Sequence, residues 1–172
     1  MAFGLWVVTT PAVTTALTFV SEKVVLLLDG RGLTLGMESQ GKNIILHYQP
    51  TPDGKPHLMN YRNISFGTVF LLALIMAVPK VNNRLRLKIL VIGYALLFGV
   101  QVVRLVVYVF NYYGQNMTVN DQSLYPPFRR KAIFFTDRTL ARLDAQLIPV
   151  IIWSGLYFYY LWFDRYFKKS KA

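Results

Sequence analysis

Four stretches of the chain are apolar over enough residues to form membrane helices, and polar segments separate them. The apolar stretches cover residues 3–28, 64–79, 87–113 and 146–164. Because a helix rises about 1.5 Å per residue, about 20 apolar residues cross the roughly 30 Å of hydrocarbon in a bilayer. The pattern predicts an all-α integral membrane protein with about four transmembrane helices, folded as a single membrane domain over residues 1–172.

The longer of the two polar segments, residues 29–63, has a strand-like composition in two places. Residues 33–35 and 43–48 are rich in β-branched and large apolar side chains, and Gly36 to Lys42 has the composition of a turn. We therefore expect a small extracytoplasmic β-hairpin in this segment.

The second polar segment, residues 114–145, is divided by two consecutive prolines. Its last part, Thr136 to Gln146, has the spacing of an amphipathic helix, with Arg138, Arg142 and Asp144 on the polar side. We expect an outer loop here that ends in a short helix before the fourth span.

The charge pattern predicts the topology. The net charge is +11, and basic residues cluster at the link before the third span and at the C-terminus. Lys and Arg collect on the cytoplasmic side of membrane proteins, so both termini are expected in the cytoplasm and both polar segments outside the plasma membrane. The basic residues lie at the ends of apolar stretches rather than on one polar surface, which argues against a nucleic-acid partner and favours contact with membrane lipids.

Arg104 is the one charged residue inside the apolar part of the third span. It lies about 24 Å along the helix from Lys88, which places it in the outer leaflet. Two interpretations are open: an outward-facing polar site, or an arginine that reaches the interface and binds carbonyls or lipid phosphate. Gln101 is one turn away and extends the same polar stripe. Candidate partners at the ends of the other spans are Glu22, Asn63, Ser65, Arg142 and Asp144.

The residues that could carry chemistry are few. The chain has no cysteine, which excludes a cysteine nucleophile and a cysteine-ligated metal. Ser65 as a nucleophile would need a base, and both histidines, His47 and His57, lie in the first polar segment, where we interpret them as solvated. Ser65 is more typical of a helix cap than of a nucleophile. We expect no cofactor and no metal.

The order of motifs from about Leu26 to Phe163 resembles the exosortase/archaeosortase family of multi-pass membrane proteins. The motifs are a Gly-containing hairpin, a segment that enters a span, a proline with a basic link, and an arginine flanked by apolar residues; they lie at Leu28–Leu35, Tyr61–Gly67, Pro79–Lys88 and Val102–Val106. The resemblance implies an outer-face site of cysteine, arginine and histidine that cuts and transfers protein C-termini. This chain matches only the arginine, at Arg104. The cysteine position falls near Asn63–Ser65 and the histidine position near Arg142–Ala145.

Three functions follow as hypotheses. The first is a non-catalytic, exosortase-like accessory or scaffold subunit, whose polar site comprises Arg104, Gln101, Asn63, Arg142 and Asp144 and whose partners are other membrane or envelope proteins. The second is an outward-facing protease or transpeptidase that uses Ser65, with Arg104 stabilising an oxyanion. The third is a lipid- or pigment-binding subunit that uses His47 or Arg104.

Overall fold

A computed structural model describes residues 2–41, 43–49, 56–60, 62–77, 82–119 and 122–169. Four helices make up most of this part of the chain: α1 (Ala2–Leu28), α2 (Arg62–Ala77), α3 (Asn83–Asn116) and α4 (Pro127–Lys169). Each contains most of one predicted apolar span. Two helical segments, Thr10–Leu28 and Asn83–Asn116, are long and apolar enough to cross a membrane, and the apolar segment Gly67–Ala77 is shorter.

The polar segment between α1 and α2 forms a three-stranded antiparallel sheet rather than a hairpin. Its strands are β1 (Thr34–Gln40), β2 (Asn43–Tyr48) and β3 (His57–Asn60), in that order. The predicted turn at Gly36–Lys42 is wrong, because β1 continues to Gln40 and Gly41 has the positive φ of 61° that a tight turn needs. The polar residues Glu38, Ser39 and Gln40 have the composition of a loop. They are also compatible with β1, because an edge strand with one solvated face tolerates polar residues.

A bulge in β1 lets the sheet present an apolar face. The pairing shifts between Thr34 and Gly36, so that Thr34 lies opposite Tyr48 and Met37 lies opposite Leu46. Leu35 is the extra residue and is exposed. The shift places both Thr34 and Met37 on the buried side.

α4 begins well before the predicted fourth span. The predicted outer loop 114–145 is helical from Pro127 onward, and a small antiparallel pair, β4 (Thr118–Val119) and β5 (Gln122–Ser123), precedes it. At 43 residues α4 is about 65 Å long, far more than a bilayer requires. The short amphipathic helix expected at Thr136–Gln146 is therefore part of one continuous helix, which packs against α3.

The buried apolar residues form two separate clusters. The sheet-side core joins α1 and α3 to the inner face of the sheet; its largest fully buried members are Leu17, Ile44, Leu46, Leu105 and Tyr113. The bundle core lies among α2, α3 and α4, around Leu71, Ile75, Ile89 and Leu97. A layer of polar side chains on α2, α3 and α4 lies between the two cores along α3, and this layer is the first part of the candidate site.

Candidate functional site

Arg104 and Asp144 form an ion pair between α3 and α4. Arg104 Nη1 lies 2.6 Å from Asp144 Oδ2 and donates a hydrogen bond to it, and the side chains are 10% and 0% exposed. Among the candidate partners whose side chains the structure describes, Asp144 lies against Arg104. Its second oxygen, Oδ1, is buried and accepts no hydrogen bond. A pair this deeply buried holds two helices in register, since each charge is costly to bury without the other.

Gln101 extends this polar layer toward α2. It is 1% exposed, and its Nε2 donates a 3.0 Å hydrogen bond to Thr68 Oγ1. Beside it, α2 and α4 come into close contact at Gly67: a Cβ at this position would lie 2.5 Å from the backbone carbonyl oxygen of Asp144. We refer to Thr68, Gln101, Arg104 and Asp144 together as the polar layer.

The other residues proposed for this site differ in their placement. Arg142 is exposed, two residues along α4 from Asp144. Asn63 and Ser65 lie in the first turns of α2, but their side chains are outside the described residues. Glu22 lies on α1 beside Gly36 of β1. Of the seven residues proposed from the sequence, the structure thus brings together three: Gln101, Arg104 and Asp144.

A pocket of about 530 Å³ opens on the sheet side of the polar layer. Its floor is a stripe of α3 at helical spacing, Arg104, Tyr108, Asn111 and Gln115. One wall is β3, and the other is a stripe of α4, with Phe134, Asp137, Arg138 and Ala141. The pocket is therefore a cleft between the last strand of the sheet and a helix.

Hydrogen bonds fix the polar side chains of this cleft. Gln115 Nε2 donates to Asn111 Oδ1 at 2.9 Å, and Asn111 Nδ2 donates to Asp137 Oδ2 at 2.7 Å. The chain of bonds ties α3 to α4 a second time, about two turns beyond the ion pair. Asn111 and Asp137 are each only 9% exposed, so their positions are set by the fold rather than by solvent.

His57 is part of this cleft and not a solvated loop residue. Its ring stacks on Tyr112 with centroids 3.9 Å apart, and its Nε2 lies 3.2 Å from the hydroxyl of Tyr108. Tyr48 in turn shares a 2.8 Å hydrogen bond with Tyr112. Desolvation by burial lowers the pKa of His57 below its usual value.

Sequence reasoning missed His57, Tyr108, Asn111, Tyr112 and Asp137. The spacing on α3 carries a usable signal, because positions 101, 104, 108, 111 and 115 are polar or phenolic and repeat every three to four residues through an apolar helix. Nothing local identifies His57, since residues 57–60 form a strand only by pairing with β2.

We expect stability to fall when the pH is lowered below about 6.5. His57 has a lowered pKa when folded, so in this range the unfolded chain takes up a proton that the folded chain does not. As the pH falls, the loss of stability begins at the ordinary histidine pKa and stops below the pKa of His57 in the folded protein. The groups that face the ring are the phenols of Tyr108 and Tyr112. Unfolding midpoints in detergent at pH 7.5 and pH 5.5 measure the effect.

The matched comparison uses the two histidines. His57→Gln should reduce the difference between the two pH values, whereas His47→Gln, on a side chain that is 44% exposed, should keep it. An unchanged pH difference in His57→Gln would show that other groups cause it.

Among the described residues, no group of three or more His, Asp or Glu side chains lies close enough together to hold a metal ion.

A protein-family comparison matches residues 1–159 to a family described as "Exosortase H-associated membrane protein". The match covers the sheet, the polar layer and the cleft, and it confirms the resemblance to an exosortase-related family. No curated protein and no solved structure is significantly similar to the chain.

Proposed function

Because the chain belongs to the family of exosortase H-associated membrane proteins, we propose that it is a non-catalytic accessory subunit that binds exosortase H in the plasma membrane. The observation that carries the non-catalytic part is the buried pair of Arg104 and Asp144. The sequence resemblance matches Arg104 alone to the catalytic set of the exosortases, and here its guanidinium is bound by a carboxylate.

An arginine that stabilises an oxyanion must present its N–H groups to the developing charge. Arg104 instead donates to Asp144 at 2.6 Å, and the negative charge of that carboxylate already balances the guanidinium. The pair therefore supports a structural role for Arg104, which is to lock α3 to α4 where the two apolar cores meet.

The two cores support a division of the chain at the membrane surface. The bundle core is formed by helices alone, as in the part of a membrane protein that lies in the bilayer. The sheet is open at its edges, and the backbone N–H and C=O groups of a sheet edge cannot be left unpaired in hydrocarbon. The sheet also packs along the second half of α1, where Thr15 Oγ1 lies 2.9 Å from Ser39 Oγ. We therefore place the outer membrane surface near the polar layer.

This placement puts a segment of each of the four helices on the membrane side of the polar layer. These segments are the first half of α1, α2, α3 from Arg84 to about Gln101, and α4 from about Leu147. The stretch of α3 from Arg84 to Gln101 is about 26 Å long, close to the thickness of a bilayer core. The basic link before α3 then faces the cytoplasm together with both termini, as the charge pattern predicts.

The lipid-facing sides of α3 and α4 offer a surface for a partner's helices. Large apolar side chains on both helices are exposed in the isolated chain; they include Leu87, Val91, Leu96, Val103, Ile151 and Phe158. Exposed apolar surface on membrane helices suits either lipid or another helix, and packing against a helix would bury it further.

Co-purification tests the proposal. A tagged copy in its native membranes, solubilised in mild detergent, should retain exosortase H through affinity and size-exclusion steps. The Ser65→Ala variant should retain it equally, because no step of the proposal uses the hydroxyl. A free monomer after purification at native expression levels would contradict the proposal. Processing of an exosortase substrate that disappears in Ser65→Ala would favour the protease instead.

A further inference from the structure

The cleft between β3 and α4 has the geometry of a strand-binding groove. β3 is the last strand of the sheet, and among the described residues no strand pairs with its outer edge. His57, Met59 and Asn60 of this four-residue strand line the cleft. Alternate backbone groups of an edge strand point away from its neighbour and can pair with a further strand.

The dimensions and side chains of the cleft fit a length of extended chain. From Arg104 to Gln115 the α3 floor is about 16 Å long, the span of about five residues in a strand. The Asn111 amide is already bonded to Asp137 and Gln115, whereas the amide side chains of Gln115 and Asn116 are exposed at the end of this floor. Such groups both donate and accept hydrogen bonds, as the main chain of a peptide requires.

The charge of the helix wall selects the kind of peptide. In the part of α4 from Pro127 to Gln146, the exposed charges are all basic, at Arg129, Arg130, Lys131, Arg138 and Arg142. The two acidic residues of the same stretch, Asp137 and Asp144, are buried and bonded to Asn111 and Arg104. Because Asn111 is neutral, the Asp137 carboxylate keeps its charge in the cleft beside Arg138, but the exposed charges of the wall leave an excess of positive charge.

We propose that this cleft binds an extended, acidic peptide segment of an extracytoplasmic protein, which adds as a strand to the outer edge of β3 and places a carboxylate on Arg138. The mode is strand addition between a sheet edge and a helix. The inference rests on the outward orientation proposed above but does not require exosortase H as the partner.

Binding of a synthetic peptide to the purified full-length protein in a neutral detergent tests the site. The probe is a short fluorescent peptide in which Glu alternates with Thr, and fluorescence anisotropy measures its affinity. The same peptide with Gln in place of Glu should bind about tenfold more weakly, because a charge-assisted hydrogen bond to Arg138 is lost. Equal affinity for the two peptides would overturn the proposal.

Variants of two exposed arginines distinguish a specific contact with the peptide from general electrostatic attraction to the basic wall. Arg138→Gln should remove the preference for the Glu peptide, whereas Arg142→Gln, one turn further along α4 and outside the cleft, should preserve it. An equal loss in both variants would overturn the proposal in favour of nonspecific attraction by the basic wall.

Backbone methylation tests strand pairing without changing the protein. Two forms of the Glu peptide carry N-methyl groups on alternate amides, one form on the odd and the other on the even positions. Only one set of amides can face β3, so one form should lose binding and the other should keep it. Unchanged binding of both forms would overturn strand addition.

Displacement of the probe by phosphatidylglycerol vesicles, with none by phosphatidylcholine vesicles, would assign the basic wall to anionic lipid and overturn the proposal. Because these measurements need only the purified chain, their failure is distinguishable from a failure to retain exosortase H.

Discussion

Replacing Asp144 by Asn is expected to lower the free energy of unfolding by about 3–5 kcal/mol. The substitution keeps the size of the side chain and removes its charge, which leaves the Arg104 guanidinium buried without the carboxylate that it contacts at 2.6 Å. The cost is that of removing the carboxylate charge from beside a buried guanidinium rather than the net value of the pair, so it should be large even if the pair itself adds little. Unfolding of the purified protein in mixed micelles, followed by circular dichroism as SDS is added, measures it.

Two further variants define the cause. The double variant Arg104→Met with Asp144→Leu removes both charges and should recover most of the lost stability, since apolar side chains of similar size often replace a buried pair without loss. Arg142→Gln removes an exposed charge two residues away and should change stability by less than about 0.5 kcal/mol. If the double variant is less stable than Asp144→Asn, the charge of Arg104 is not what destabilises the single variant.

The second large effect is expected at Gly67. In Gly67→Ala the new Cβ would lie 2.5 Å from the carbonyl oxygen of Asp144 and 3.3 Å from Cγ of Pro149. The nearer contact is to backbone, so α2 and α4 must separate, and we expect a loss of about 1–3 kcal/mol. The same separation would disturb the adjacent bond from Gln101 to Thr68. The micelle titration used for Asp144 measures this loss as well.

Gly99→Ala is the matched control. Gly99 is also a helical glycine, on α3, but a Cβ there meets no atom within 4 Å. Because alanine favours a helix over glycine by up to about 1 kcal/mol, this variant should be neutral or slightly more stable. Equal effects at the two glycines would show that helix propensity, and not the contact between α2 and α4, controls the result.

These two sites share a function in the fold. The ion pair and the glycine contact lie where the bundle core meets the sheet-side core, and each connects α4 to a different helix. Weakening either contact should therefore affect the orientation of the outer half of α4, which forms one wall of the cleft. A variant that still folds but binds the acidic probe peptide less well would report this coupling.

Helix α3 shows how much of the structure the local sequence predicts. Its apolar run and basic entry predict a long helix over 87–113. The structure extends this helix to Asn83–Asn116, and the Asn82 side chain caps it by accepting from the Arg84 backbone N–H. The polar stripe from Gln101 to Gln115 is present in the same sequence, but only Gln101 and Arg104 were identified there. It did not indicate that the stripe would line a cleft, because that depends on which helix packs opposite.

The misjudged segments are those whose structure depends on distant partners. The β1 residues Gly36 to Gln40 are polar enough for a turn, and only their pairing with residues 43–47 of β2 makes them a strand. Similarly, residues 127–145 are too polar for a membrane span, yet contacts with α3 such as Asn111 to Asp137 support one helix through this region. Pairing and packing energies override local composition in both segments.

By itself the sequence determined the helical membrane character of the chain, the position of its basic link and the presence of one charge that needed a partner. Apolar run length and the cost of burying an arginine are local properties, so they can be read from the residues alone. Only the tertiary structure decided that the partner is Asp144, that His57 belongs to a cleft, and that the third strand lies at the edge of the sheet beside α4. Each of these depends on residues between 40 and about 80 positions apart, and their approach is set by the packing of the two cores rather than by any local pattern.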